Sequence, residues 1–589
     1  LKTVEVGQAA ISFELAAFKS CRTFKSSNDS GFTINGSANG ENELYKTVDG
    51  VLYSRDMTKL IAVPSATQSY ELPSSVTALS DGALAGLSIS RALDLSKITE
   101  IGAYALSGSS FTSVVLNPAL TVIPEGLFAE TENLTEVTGL RNIKKIGAYG
   151  FYRAKTTNLE LPSLTEAGDY AFAASKLEKI TAEKLGVIGD NAFESCLFTE
   201  AYFPSAYSVG KEAFKDAAML MKVTLGGVTE MGEKTFKNTR LLTVAEFGGG
   251  TTVIAAEAFM AEKSDDRNNL TQVILPDGVN AIGDRAFANC PNITEINLSG
   301  TKTIGEYAFY GCESLKDVNL KTVVTVGEAA FSDAAITVAE LDSAESVGAY
   351  AFNSSKLEKV TFGALKRIGE YAFSYTNLTE VVLPASFDSV YADYEWAELD
   401  DKGRVDENPS RKIYAYGSGA CSAIETLKSI TANGENIYSA DGVLYAKTAA
   451  GNILLQYPAD KDGESYEVLS GTVVIANSSF MEANILKKVK FADTVAVIGD
   501  YAFFQSSVKE YEFNTVEAPV LLSEFKDVEH LNYHSISKRM FGRNDDYCYG
   551  FTIYYANFFS YVAQIIYHEE LEHIKVSGYT DFGLKAIVP

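Results

Sequence analysis

Ile368-Gly-Glu-Tyr-Ala-Phe373 is one copy of a six-residue pattern: small apolar, Gly, any, any, Ala, Phe. The pattern returns as Ile146 to Phe151, Ile188 to Phe193, Ile282 to Phe287, Ile304 to Phe309 and Ile498 to Phe503. Its closing Leu or Phe falls at 84, 106, 128, 151, 172, 193, 214, 236, 259, 287, 309, 331, 352 and 373, then at 480 and 503. Successive spacings within each block are 21 to 23 residues, apart from one of 28 that holds the polar stretch Glu262 to Asn269, read as a surface loop. A fixed period in this range marks a solenoid of stacked coils.

Between the copies runs a second pattern, L-x-x-Φ-x-L, as in Leu270-Val273-Leu275, Ile293-Ile296-Leu298, Leu315-Val318-Leu320 and Leu378-Val381-Leu383. Its last three positions alternate with period two, the mark of a strand buried on one face. Prolines 73, 162, 204, 276 and 384 follow such segments, where a missing N–H ends the ladder harmlessly. Each repeat thus reads as one short strand, a turn and a return segment carrying Ala-Phe. Such a unit cannot bury both its Leu and its Phe sides alone, so neighbours must stack above and below it, with the strands in parallel. The fold expected is an elongated, mostly β leucine-rich-repeat solenoid: a right-handed superhelix of short parallel strands with turn or 3-10 return segments.

The glycine of the pattern serves either a left-handed backbone or a close approach between coils. Pro124 stands in its place in Ile123 to Phe128, and proline holds φ near −65°, so close approach is the better reading. Four of the six cysteines, Cys21, Cys196, Cys290 and Cys312, lie three residues after the Phe, a site expected to face the core. A ladder of buried thiols is the favoured reading; a disulfide between Cys290 and Cys312, on neighbouring coils, stays open beside it.

These residues resemble the BspA-like class of bacterial leucine-rich repeats, whose consensus couples L-x-x-Φ-x-Φ-P to I-G-x-x-A-F-x-x-C. The resemblance covers residues 70 to 384 and 466 to 505, and includes a hairpin-like insert present twice, as Asp49-Gly-Val-Leu-Tyr53 leading to Pro64 and Asp441-Gly-Val-Leu-Tyr445 leading to Pro458. A degenerate copy at Ala17 to Cys21 places the start of the array at or before residue 1. The resemblance implies an exported protein, displayed on a bacterial surface or secreted, with a role in binding host matrix proteins or other cells. The expected organisation is an array over 1–384 with an insert near 48–64, an irregular acidic insertion over 385–440, a second insert with two further repeats over 441–505, and a capping region over 506–589. A separate small domain in that last stretch is the alternative.

The chain has 589 residues, 46% hydrophobic and 21% charged, enough apolar material for a large core. Its formal net charge of −26 would repel nucleic-acid phosphates and an anionic membrane surface, so neither is an expected partner. No run of about 18 apolar residues occurs, so no membrane span is expected. Leu1 in place of Met, with no basic and apolar leader, reads as a processed or excised piece.

The chemistry-bearing motifs are few. His568 and His573 in His-Glu-Glu-Leu-Glu-His are five apart, where a zinc-binding helix needs four, so they read, with His530 and His534, as surface histidines. Asp460-Lys-Asp462-Gly463-Glu464 lacks the later ligands of a calcium loop and reads as a polar turn. There is no G-x-S-x-G elbow, phosphate loop or dinucleotide fingerprint, so no enzyme, cofactor or metal is expected. Binding is the remaining class. In L-x-x-Φ-x-L the residues flanking Φ face away from the core, and in the middle of the array they are Glu200 and Tyr202, Lys222 and Thr224, Gln272 and Ile274, Glu295 and Asn297, and Asp317 and Asn319. This face is mixed in charge, without a basic stripe or an aromatic row, and suits an extracellular protein or glycoprotein bound by a monomer. Carbohydrate or cell-wall polymer is the second expectation, and an enzyme a distant third. The acidic interval with Tyr391, Tyr394 and Trp396 reads either as a solvated linker or as a binding loop beside that face.

Overall fold

A computed structural model describes residues 3–6, 31–65, 67–261, 269–388, 415–448, 451–495, 497–499, 501–513, 520–521 and 552–555. They fall in two compact units, Leu1–Asn297 and Leu298–Pro589. Both are built of stacked parallel strands, a β-solenoid, and the one 3-10 helix among the described residues is Leu140–Asn142. The return segments are therefore turns.

Each coil of the first unit has three sides. The first is the strand expected from L-x-x-Φ-x-L. Glu200–Phe203, Lys222–Leu225, Val244–Phe247 and Gln272–Ile274 form one such parallel sheet; Ala92–Leu95, Ser113–Leu116 and Glu136–Thr138 form another. Inward residues such as Val223, Leu225, Ala245 and Leu275 are buried. The second side is a two-residue strand that the sequence pattern did not announce: Val122–Ile123, Lys145–Ile146, Glu166–Ala167, Val187–Ile188, Ser208–Val209 and Glu230–Met231 make a six-stranded parallel sheet. It holds the Ile of the six-residue pattern, and the following glycine makes the pairing close. A Cβ on Gly147 would stand 2.7 Å from Glu125 N, and one on Gly210 2.5 Å from Asp190 N. Neither glycine has a positive φ, so close approach is what the site demands.

The third side is the turn. Alternate N–H groups close turns within the coil, as from Gly150 to Gly147 O (3.1 Å) and from Tyr152 to Tyr149 O (3.1 Å). The others reach the next coil: Tyr149 N donates to Asp169 O (2.9 Å), Phe151 N to Ala171 O (2.6 Å) and Arg153 N to Ala173 O (3.0 Å). This alternation requires left-handed backbone twice per coil, at Tyr149 (φ 58°) and Arg153 (φ 54°) here. The Phe side chains inside the turns stack at the strand spacing. Phe172 and Phe193 lie 5.1 Å apart at 2° between planes, Phe193 and Phe214 5.3 Å apart, and Phe236 and Phe259 5.0 Å apart.

The insert at Asp49-Gly50 is a three-stranded antiparallel meander, Tyr45–Val48, Val51–Ser54 and Lys59–Ala62, whose last strand pairs in parallel with Ala78–Leu79. Asp49 (φ 48°) and Gly50 (φ 77°) both take the left-handed conformation that a two-residue hairpin loop needs.

The second unit repeats these devices. Thr303–Ile304, Thr325–Val326, Ser346–Val347 and Arg367–Ile368 are its short strands, and Phe309, Phe331, Phe352 and Phe373 stack 5.2 to 5.4 Å apart. The stretch 385–440, expected to be irregular, contains a coil. Tyr416 bridges Ile368, Phe373 N donates to Ala420 O (2.9 Å), and Ser429–Thr431 pairs with Glu380–Val382. Cys421 occupies the place of the Phe. Residues 389–414, with Trp396, lie outside the described residues. The second meander, Ile437–Ala440, Val443–Thr448 and Gly451–Gln456, again feeds a parallel strand, Thr472–Ile475. Glu510–Phe513 and Thr552–Tyr555, both within the stretch expected to be a capping region, extend the sheet of Ser465–Glu467 and Lys488–Phe491.

Candidate recognition surface

The residues flanking Φ stand on the solvent side of the long strands. In the first unit Glu200, Tyr202, Gln272, Ile274, Glu295 and Asn297 are all exposed, and so are Asp317 and Asn319 in the second. The parallel register sets two rows in the first unit: Glu200, Lys222, Val244, Gln272 and Tyr202, Thr224, Glu246, Ile274. Tyr202 and Ile274 are therefore three strands apart, about 14 Å, and do not form one apolar anchor. Between them Thr224 Oγ1 donates to Glu246 Oε2 (3.4 Å); past Ile274, Asn297 Nδ2 donates to Asp277 Oδ1 (3.1 Å). Val244 and Glu246 belong to the same face. The strand Val-Ala-Glu-Phe carries Ala at Φ, which weakened its signal.

Some of the charged groups are spent on neighbours. Lys215 Nζ lies 2.8 Å from Glu212 Oε2, and that ion pair holds the Glu212 carboxyl below its usual range. Lys490 pairs with Glu467 (2.8 Å) and Lys488 with Glu512 (3.1 Å) along the second unit's strands. Around the Asp460 turn, Lys461 Nζ meets Asp441 (3.0 Å) and Glu464 pairs with Lys487, so these groups serve structure. Cys196, Cys290, Cys312 and Cys421 are buried thiols; burial pushes Cys196 and Cys421 up to about 12, which keeps them protonated. Cys196 Sγ donates to Phe172 O (3.2 Å) on the preceding coil, whereas threonines at the same place bond within their own coil, as Thr239 Oγ1 does to Phe236 O (2.7 Å). Among the described residues no three His, Cys, Asp or Glu side chains are placed to hold a metal. All four histidines lie outside them.

An aromatic row does exist, on the turn side. Tyr149 and Tyr170 stack 5.1 Å apart at 2°, with Tyr152 edge-on to Tyr149, and Tyr104 Oη donates to Glu125 Oε1 (2.7 Å). In the second unit Tyr350 and Tyr371 stack 5.5 Å apart, and the Tyr371 and Ser478 hydroxyls are 2.9 Å apart. The signal was in the sequence: Tyr104, Tyr149, Tyr170, Tyr350 and Tyr371 occupy the second free position of the six-residue pattern, which was treated as unconstrained.

No helix among the described residues is long and apolar enough to cross a membrane. No curated protein matches the chain. Solved structures similar to it include a leucine rich cell surface protein from Faecalibacterium prausnitzii A2-165, 20% identical over 54% of this chain and 73% of that one, with a TM-score of 0.33. A leucine-rich repeat protein from Bacteroides ovatus is 20% identical over 61% and 92%, with a TM-score of 0.40, and the pneumococcal vaccine antigen PcpA 17% identical over 65% and 86%, with 0.24. Likeness at this level bears on neither partner nor activity. The family described as BspA type leucine rich repeat region matches residues 64–154, 144–264, 186–316, 280–394 and 460–569, and the chain belongs to it.

Proposed function

We propose that the chain is a noncatalytic recognition protein, secreted or displayed at a bacterial cell surface, that binds host or neighbouring-cell proteins through the outward faces of its long strands. One observation supports this most. Inward positions stay Leu, Val, Ala or Phe from coil to coil, whereas their exposed neighbours run Glu, Lys, Val, Gln in one row and Tyr, Thr, Glu, Ile in the next. A surface free of packing duty is open to selection for a partner. The partner class is an extracellular protein or glycoprotein, taken by a monomer, with the Trp396 region as an added contact. Binding to immobilised fibronectin and fibrinogen, set against a glycan array, tests this. Matrix-protein binding that falls when Tyr202→Ala and Ile274→Ala are combined supports it, and binding to glycans alone overturns it.

The stacked tyrosines of the turn side favour carbohydrate as a second reading. Their geometry limits it, because Tyr149 and Tyr170 each spend one face on the other.

A further inference from the structure

The turn side of the second unit carries charge of one sign. Its turns at 306–312, 328–334, 349–355, 370–376, 418–424, 477–483 and 501–506 hold five carboxylates and no lysine or arginine. The equivalent turns of the first unit carry Arg153, Lys211, Lys215, Lys234, Lys237 and Arg285 among their carboxylates. Of the basic residues flanking the second unit's turns, Lys356 follows one of them, Arg367 stands on a short strand, and Lys366 pairs with Glu345 (2.9 Å). The local field on this side therefore has the sign of the net charge of −26 and adds to it.

Tyrosines stand among these carboxylates. Tyr350 (40% exposed) stacks on Tyr371, the Tyr371 hydroxyl meets that of Ser478, and Tyr375 (49% exposed) follows Tyr371 on the same turn. The carboxylates are close enough to act on the phenols: partial burial, then Tyr371, Glu370 and Glu328, raise Tyr350, and partial burial, then Glu482, raises Tyr375. Glu482 is half-buried without an ion-pair partner, and its carboxyl is raised by that burial and by the neighbouring Glu425. A carboxylate so placed lacks the counter-charge that would offset its desolvation. Exposed phenol rings beside unpaired carboxylates suit a guanidinium better than an ammonium, because it is planar, stacks on rings and meets a carboxylate with two N–H groups.

We infer that Tyr350, Tyr371 and Tyr375, with Glu328, Glu370 and Glu482 beside them, dock an arginine-rich protein segment. This surface is a different side of the coil from the long strands, so the inference goes beyond the strand-face reading and does not depend on it. An acidic polymer is repelled by the same carboxylates, and a neutral glycan would leave Glu482 without a counter-charge.

The test uses the full chain and three fluorescent peptides of about a dozen residues, alike except at a few positions that carry arginine, lysine or glutamate. Anisotropy should show the arginine peptide binding about fivefold more tightly than the lysine peptide, and the glutamate peptide not binding. Glu370→Gln with Glu482→Gln should weaken the arginine peptide about tenfold. Glu132→Gln with Glu183→Gln removes the same charge from the first unit and should change its affinity less than about twofold. Tyr350→Ser with Tyr375→Ser should weaken it about fivefold at unchanged net charge. The melting temperature of the Glu370→Gln, Glu482→Gln variant should be no lower than the parent's, which separates lost contact from lost fold. Tyr202→Ala with Ile274→Ala, on the strand face, should leave the arginine peptide's affinity as it is, so failure of that reading and failure of this one show separately. Equal binding of the two basic peptides, no binding of either, or equal weakening by the two glutamine pairs overturns the inference, as does undiminished binding by the tyrosine variant.

Discussion

At the scale of single residues, two sites in each coil behave opposite to first expectation. The conserved-looking glycine of the pattern has an ordinary φ and is there for space, while the left-handed positions are held mostly by side chains such as Tyr149, Arg153, Tyr350 and Ser354. A Cβ on Gly348 would lie 2.5 Å from the Gly327 carbonyl carbon and 2.6 Å from Glu328 N, both backbone atoms that cannot rotate away. Gly348→Ala should therefore lower stability by about 2 kcal/mol or more, although alanine normally stabilises a site of negative φ. Chemical denaturation with an unchanged midpoint would reject the close-approach account. A second site works the other way. Ser355 is 1% exposed and its Oγ has no hydrogen-bond partner, whereas Thr376, at the same place on another coil, donates to Phe373 O (2.7 Å), and Ala334 occupies that place with no hydroxyl at all. Ser355→Ala should raise stability by about 1 kcal/mol, because it removes a desolvated hydroxyl and no bond. A lower denaturation midpoint for this variant would mean that the hydroxyl has a partner after all.

At the scale of elements, the long strands and the two meanders were legible, and the short strands were not. Alternation over L-x-x-Φ-x-L and the Asp-Gly pairs at 49–50 and 441–442 carry local signals strong enough to read directly. A two-residue strand has no period to show; it exists because glycine lets the next coil close in, which is a property of the stack. The coil at 415–431 escaped notice because Tyr416 and Cys421 replace the Ile and Phe by which the pattern is recognised. The turn-side tyrosines were missed because a row across coils appears only once the register is known. The meanders share one further device. Tyr53 Oη donates to Tyr70 Oη (3.1 Å) in the first, and the Tyr445 and Tyr466 hydroxyls are 2.6 Å apart in the second, all four rings being buried. Burial, and for Tyr70 and Tyr466 also the partner hydroxyl of Tyr53 or Tyr445, pushes these phenols above their usual value near 10. An acid whose folded pKa is raised contributes stability that is complete below its unfolded pKa and is lost as pH rises beyond it. The melting temperature should hold between pH 8 and about 9.5 and fall above about 10. Tyr466→Phe should cost about 1 kcal/mol at neutral pH and make that alkaline fall shallower; a fall as steep as the parent's would locate the titration elsewhere.

At the scale of the whole molecule, charge and burial pull in different directions. The aromatic stacks and paired backbone groups inside each unit depend little on salt, but 76 acidic against 50 basic side chains leave an excess of 26 negative charges on the surface. Ion pairs such as Lys145 with Glu166, Lys366 with Glu345 and Lys490 with Glu467 offset part of this repulsion. Their side chains are roughly a third to two thirds exposed. Solvent-exposed pairs of that kind contribute little, and many contribute nothing. The unpaired excess acts on every coil, so repulsion should outweigh the pairs, and screening it should stabilise the fold. Raising sodium chloride from about 0.01 M to about 0.5 M, which shortens the screening length from roughly 30 Å to about 4 Å, should lift the melting temperature by several degrees. Salt also strengthens apolar burial to a small extent, so a second measurement isolates the electrostatic part. Glu132→Lys with Glu183→Lys changes two exposed carboxylates and cuts the excess charge without touching the core. That variant should melt higher than the parent at low salt and respond less to added salt. A melting temperature that falls with salt in the parent would show that the surface ion pairs, and not the net repulsion, dominate the electrostatics of this solenoid.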